Sequence, residues 1–333
     1  MKRITTSEVA KAAGVSIGAA SVVLNGGTKK IGVSEKTRAR ILRAAAKLGY
    51  RLNPAARATR TGKFGSIALL LGRIEYNSLV SGSRLSRILD ATEKRNLSLT
   101  LTRADDEKLS DERFLHDLLA RIYADGLLIG YNASLPPLFT KLLTRLQIPA
   151  VWLNAKMNQN AVYPDDRTAA RLLTEKFIAA GYRDIVFVND NGYSHYSFFD
   201  RKEGYEEAMS KAGLAPTVFT GDHDDACAIY TDQFLPFFRK RTPNRAFICY
   251  ANGYARALCA AATASGRTPG TDFRIATFGD APVIIGETAV PSALMDEERL
   301  TDEAVEMLTR RITDPIADIP SVPIPYASIP DIA

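Results

Sequence analysis

Cysteine is scarce in this chain of 333 residues, and none of it pairs. Cys227, Cys249 and Cys259 show no CxxC or paired spacing, which excludes a disulfide framework and a thiolate metal site and predicts small buried hydrophobes. Histidine is equally thin: His116, His195 and His223 stand apart from one another and from cysteine, so no metal and no cofactor is expected. No apolar run reaches the roughly 18 residues of a membrane span, and no stretch reads as a signal peptide. The expected compartment is therefore a reducing cytoplasm, away from membranes. Catalytic signatures are missing too. No GxGxxG follows a strand pattern, no GxxxxGK[ST] occurs, and no motif positions a Ser/His/Asp set, so an enzyme is not expected.

What the chain does have is charge, unevenly placed. Lys and Arg total 43 against 37 Asp and Glu. Residues 1–63 hold 14 of those basic residues but only Glu8 and Glu35 as acids, a balance of +12. The remainder carries 29 basic and 35 acidic residues, or −6. A small basic module on a larger acidic body is the electrostatic footprint of a polyanion binder. Residues 1–63 lack the Trp/Phe/Leu face of an interfacial helix, so nucleic acid is the expected polyanion rather than a membrane.

Within that module, ITTSEVAKAAGVSIGAASVVLN (residues 4–25) reads as two short helices about a tight turn. Thr5 with Glu8 is a capping box that starts a helix at Thr6, and Gly14 supplies the positive φ that ends it. Ser16 offers the next N-cap, and Ala20, Val23 and Leu24 give the second helix an apolar stripe. This is the pattern of a helix-turn-helix, whose second helix lies in the major groove; a plain αα-hairpin is the alternative. Ser34 then caps a third helix through Lys47, stopped by Gly49. In RLNPAARATRTGK, Asn53 and Pro54 open another helix that Gly62 closes after about two turns, too short to hold alone. That segment is a linker, or a helix formed only against a partner. The expected division is residues 1–50 as the DNA-binding head, 51–63 as hinge and 64–333 as body.

From Ser66 the pattern alternates. SIALLL, LSLTLT, GLLIG, PAVWL, DIVFV, RAFICY and RIATF are short apolar runs separated by helical stretches near 83–95, 111–123, 135–146, 168–180, 201–212, 227–239, 253–265 and 297–312. Strands buried on both faces and spaced by helices predict doubly wound parallel sheets, in two lobes with a ligand cleft at the carboxyl ends of the strands.

With the opening VAKAAGVS…S.VLNG, the run VSEKTRARILRAAAKLGYRLNPAAR, and GYRDIVFV followed by DRKEGYEEAMSKAGL, the sequence resembles the lactose-repressor/galactose-repressor (LacI/GalR) family over nearly its full length. The resemblance implies a three-helix helix-turn-helix domain and hinge helix on a periplasmic-binding-protein-like (type I) α/β body. It implies a homodimeric transcription regulator, expected to repress, with palindromic double-stranded operator DNA at one end and a small effector in the cleft. That effector is expected to be a carbohydrate or related metabolite. The alternative is an effector-independent DNA-binding regulator whose body only dimerises.

By this resemblance Thr5, Ser16, Ser21 and Asn25 fall on DNA-contacting positions. Ile17, Gly18 and Val22 stand where hydrogen-bonding side chains are common, and Ala19 and Ala20 replace Thr and Val. None can make bidentate base contacts, which leaves packing of Ile17 and Val22 on thymine methyls. In the hinge, Asn53, Ala56, Arg57 and Thr59 match minor-groove residues. Thr59 replaces the usual leucine wedge, which predicts a smaller bend. For the cleft the resemblance points to Asn154, Asp165, Arg201, Asn252 and Asp280, with Tyr76, Trp152 and Phe199 as stacking aromatics that plain core packing would equally explain. Gly253 and Gly279 stand where carboxylates are common, which counts against an ordinary hexose. For Arg201 the alternative role is a structural ion pair.

Overall fold

A computed structural model describes residues 4–25, 32–51, 58, 62–74, 78, 80–132, 135–190, 195–221, 227–239, 242, 244–286 and 288–332. Its contacts divide the chain into two units, Met1–Gly65 and Ser66–Ala333.

In the first unit the caps act where the sequence writes them. Helix α1 (Thr6–Ala13) begins on a complete capping box: the Thr5 amide donates to Glu8 at 2.7 Å, and the Glu8 amide donates to the Thr5 hydroxyl at 3.3 Å. Gly14, at φ 60° and ψ 44°, ends it in the left-handed region. Ser16 then accepts from the Ala19 amide and starts α2 (Ile17–Leu24), bent 111° from α1. Ser34 and Gly49 bound α3 (Glu35–Leu48) in the same way. Val9, Ala10, Ala13, Ala20, Val23, Ile41 and Ala45 form the shared core. The hinge residues Asn53, Ala56, Arg57 and Thr59 lie outside the described residues, as does Tyr76.

The second unit contains two parallel sheets. The first comprises β1 (Ser66–Gly72), β2 (Ser98–Ala104), β3 (Gly126–Ile129), β4 (Ala150–Leu153), β5 (Ala161–Pro164) and β13 (Val322–Ile324), in the order β13-β5-β4-β3-β1-β2. The second comprises β6 (Asp184–Asp190), β7 (Thr217–Gly221), β8 (Arg245–Cys249), β9 (Arg274–Gly279) and β12 (Ser292–Leu294), in the order β12-β9-β8-β6-β7. A short antiparallel hairpin pairs β10 (Val283–Ile285) with β11 (Thr288–Val290). Helices α4 (Gly82–Lys94), α5 (Glu112–Ala120), α6 (Pro137–Arg145) and α11 (Glu297–Thr313) accompany the first sheet. Helices α7 (Asp166–Ala179), α8 (Tyr196–Lys211), α9 (Cys227–Phe238) and α10 (Asn252–Ala264) accompany the second.

Strand alternation sorts the core. Ile67 and Leu69 enter one apolar cluster while Ala68 and Leu70 enter another; Ile185 and Phe187 split from Val186 and Val188 in the same way. Each sheet is thus buried on both faces, which is why its strands read as continuous apolar runs. Cys249 and Cys259 are free, buried thiols in one of these clusters, where burial pushes the pKa of Cys259 up to about 11.

The chain passes between the sheets three times: after β5 into α7, after β12 into α11, and after β13 into a tail whose Ser328 bridges Leu294. The helices lie close to their predicted positions, except that α8 starts five residues before the expected Arg201. The apolar-run pattern missed β5, β7 and β10 to β13. These have only three to five residues each, and Pro323 interrupts β13, so no run stands out.

Candidate functional site

The side chains of α2 present an apolar surface. Ile17 is 56% exposed, Gly18 is exposed and Val22 is partly buried, while Ala20 and Val23 face the core. The polar residues of this helix are tied to each other: the Asn25 amide donates to the Ser21 carbonyl at 2.6 Å and to the Ser21 hydroxyl at 3.3 Å. Thr5 and Ser16 are both N-caps, their hydroxyls accepting backbone amides. Arg40 of α3 reaches the turn, donating to the Gly14 carbonyl at 3.4 Å.

In the second unit, polar side chains gather where the strands of the second sheet end. Arg201, 8% exposed, donates from Nε to Asp166 Oδ1 at 2.6 Å, from Nη1 to the Tyr250 carbonyl and from Nη2 to the Tyr326 hydroxyl at 3.1 Å. Its guanidinium lies 4.7 Å from the Tyr250 ring centre and 4.6 Å from that of Phe278. Burial opposes the charge, but Asp166, Tyr326 and Tyr250 together outweigh it and the pKa of Arg201 is raised. The Tyr326 hydroxyl also donates to Asp166 Oδ1, at 2.7 Å. Since Asp166 opens α7 and Tyr326 follows β13, this cluster joins two of the three crossings between the sheets. Three buried acceptors here have no hydrogen-bond partner among the described residues: Asp166 Oδ2, Asn189 Oδ1 and Asn252 Oδ1. The carboxamide of Asn252 lies over Gly279, where an added Cβ would come within 2.9 Å of its Nδ2.

Several contacts join the two lobes. Asp280, just past β9, accepts from Ser83 of α4 at 2.7 Å. Burial works against its charge, yet bonds from Ser83 and Ser81 hold its pKa below the ordinary value. Lys156, after β4, grips Asp200 of α8 at 2.7 and 2.8 Å. His195 caps the approach to α8, its Nε2 lying 2.7 Å from the Asn154 carbonyl and its Nδ1 2.7 Å from the Ser197 hydroxyl. Since a carbonyl only accepts, Nε2 carries the proton and Nδ1 accepts from Ser197. Ser197 in turn lies 2.6 Å from the Tyr250 hydroxyl.

The predicted cleft residues fare unevenly. Asn154, Arg201, Asn252 and Asp280 come to the facing ends of the two lobes. Asp165 does not serve as the site's carboxylate. Its side chain caps α7 by accepting from the Thr168 amide at 3.2 Å, and the buried acid beside Arg201 is Asp166. Phe199 is also corrected. It is 60% exposed, whereas Phe198 stacks on Tyr250 with ring centres 3.9 Å apart. Neighbours on a helix point about 100° apart, so only one of the two aromatics can face the site. Trp152 is core, packed edge-on to Phe139 at 6.4 Å. The sequence reading missed Asp166, Asn189, His195, Tyr250 and Tyr326. The doublet Asp165-Asp166 held a usable signal, because the cap position three residues before Thr168 claims the first acid and releases the second. Nothing local marks Tyr326.

Among the described residues, no group of three or more His, Cys, Asp and Glu side chains could hold a metal, and no single helix is long and apolar enough to cross a membrane.

Residues 5–53 match the family described as bacterial regulatory proteins, lacI family, and residues 174–330 match the periplasmic binding protein-like domain. The chain is 31% identical over 215 residues to the HTH-type transcriptional regulator RegA of Clostridium saccharobutylicum, a match covering 62% of this chain and 61% of that protein. It is 32% identical over 219 residues to the maltose regulon regulatory protein MalI of Escherichia coli (strain K12), covering 64% and 61%. The match thus spans about three fifths of each relative. In fold the chain is similar to the lac repressor dimer bound to operator and the anti-inducer ONPF, with a TM-score of 0.79 at 20% identity and 98% of both chains covered. It is also similar to the transcriptional regulator CelR in complex with cellobiose, with a TM-score of 0.67 at 21% identity, covering 99% and 100%.

Proposed function

Because this chain belongs to the lacI family of bacterial regulatory proteins, we propose that it is a sequence-specific DNA-binding transcriptional regulator of the repressor type. It acts in the cytoplasm as a homodimer on a palindromic operator. Residues 1–50 form the head, 51–63 the hinge and 64–333 the effector-binding and dimerising body. The observation that carries this reading is the first unit: three capped helices around one small apolar core, with a charge balance of +12. Such a module gains its affinity from phosphate neutralisation and its sequence preference from α2.

The effector reading places a small polar molecule of carbohydrate type between the lobes, where Asn154, Arg201, Asn252 and Asp280 converge and where Asn189 and Asn252 offer buried acceptors. The regulators named above for maltose and cellobiose support that class. An effector can shift operator affinity only by its differential affinity for the two lobe arrangements. The segment 51–63 joins the head to the body and is the element through which such a shift reaches the DNA-binding helices. A second reading, an effector-independent regulator, is favoured by the contacts the lobes already make: Ser83 to Asp280, Lys156 to Asp200 and His195 to Asn154.

Selection of the full chain against random duplexes at low salt, followed by titration of the selected operator complex with a panel of neutral sugars and sugar acids, tests both. A selected palindrome released or tightened by one sugar supports effector control. A palindrome indifferent to every sugar supports the second reading. No selected duplex at all refutes both.

A further inference from the structure

On the basis of the DNA-binding reading above, we propose that α2 is a methyl reader. It recognises C5-methyl groups in the major groove and accepts 5-methylcytosine in place of thymine. Ile17, which is 56% exposed, and Val22, which is partly buried, are the large apolar side chains of this helix that stay out of the shared core, and Gly18 bears no side chain. An exposed aliphatic side chain on the most basic unit matches an occupant that is both anionic and locally apolar. The unit's +12 balance calls for duplex phosphates, and the apolar features of a duplex groove are the pyrimidine C5-methyls.

The polar side chains at the ends of α2 are engaged within the helix itself. Ser21 and Asn25 are bonded to one another, and Ser16 is committed to the Ala19 amide. Thymine and 5-methylcytosine differ at position 4 of the ring, a carbonyl acceptor against an amino donor, but share the methyl. Ile17, Gly18 and Val22 offer no side-chain donor or acceptor that tells the two bases apart. Ile17 and Val22 can lose or gain the methyl contact, and nothing else.

The test uses the full chain and the duplex obtained by selection. At each thymine where cytosine weakens binding, two analogues are placed: deoxyuridine, which deletes the methyl, and 5-methylcytosine opposite guanine, which keeps the methyl and changes the hydrogen-bonding edge. Each contacted methyl removed by deoxyuridine lowers affinity about fourfold, as expected for one buried methyl-sized group. The 5-methylcytosine duplex binds within about twofold of the thymine duplex, while unmethylated cytosine binds as weakly as deoxyuridine. Because the DNA is altered and the protein is not, misfolding cannot produce this pattern. Ile17→Ser, at an exposed position, abolishes the deoxyuridine sensitivity at one of the thymines. Deoxyuridine that is neutral at every such position, or 5-methylcytosine no better than cytosine, overturns the proposal and leaves DNA binding intact. Failure to select any duplex overturns it together with the reading it rests on.

Discussion

A structural ion pair between Arg201 and Asp166 is distinguished from a ligand clamp by what the loss of either half does to stability. Both are buried, at 8% and 1% side-chain exposure, and Nε meets Oδ1 at 2.6 Å. Breaking such a pair costs about 3–5 kcal/mol because one charge is left behind without its partner. Asp166→Asn strands a guanidinium, which cannot shed its proton in a protein, for about 3 kcal/mol. Arg201→Met strands the Asp166 carboxylate in turn, for about 3–5 kcal/mol. Tyr326→Phe keeps the ring against Phe278 and removes one hydroxyl, for about 1 kcal/mol. Urea unfolding of the full chain, followed by circular dichroism, measures all three. A loss below about 1 kcal/mol for Asp166→Asn or for Arg201→Met would refute a buried pair that supports the crossings.

Three further outcomes follow from the packing. Gly204 of α8 faces α7 so closely that a Cβ there would lie 2.2 Å from the Arg167 carbonyl oxygen, and backbone cannot step aside; Gly204→Ala lowers stability by about 1–3 kcal/mol, read as a lower thermal midpoint. The Tyr205 hydroxyl donates to the Ile185 carbonyl at 2.6 Å and accepts the Thr217 amide at 2.8 Å, while burial pushes its pKa up to about 12. Tyr205→Phe therefore strands both backbone groups and costs about 1–3 kcal/mol in the same assay. Burial, with help from Arg201 and Arg84 and against the Asn154 carbonyl and Asp166, lowers the pKa of His195 below 6.5. The unfolded chain therefore takes up this proton first. The contribution of His195 is complete above pH 6.5 and is lost as pH falls toward the folded value, and His195→Gln flattens that part of the stability profile.

Legibility tracked how local the cause was. Thr5, Ser16, Ser34, Gly14 and Gly49 act within one helical turn of their own position, and each bounds a helix as the sequence indicates. The long strands were visible because burial on two faces leaves an unbroken apolar run, as in Ser66–Gly72. Strands such as Val322–Ile324 hold their place by pairing with β5, a partner some 160 residues away (Val322 with Val162), and no local pattern encodes that. The tail containing Tyr326 depends on that same pairing.

The site divides along the same line. Arg201 could be found because its neighbours in sequence carry the resemblance, yet its partners come from four separate elements. Asp165 and Phe199 went wrong through phase. Each is one residue away from the side chain that faces the site, and one residue on a helix turns a group from the protein interior toward solvent. A helix boundary known to within a residue would have corrected both. Placing Asp165 at the N-cap assigns its oxygen to Thr168 and leaves Asp166 to Arg201. Starting α8 at Tyr196 puts Phe198, Arg201 and Tyr205 on one face at spacings of three and four, with Phe199 outside it. The caps that were easiest to read in this sequence therefore also fix which of two adjacent side chains does the work.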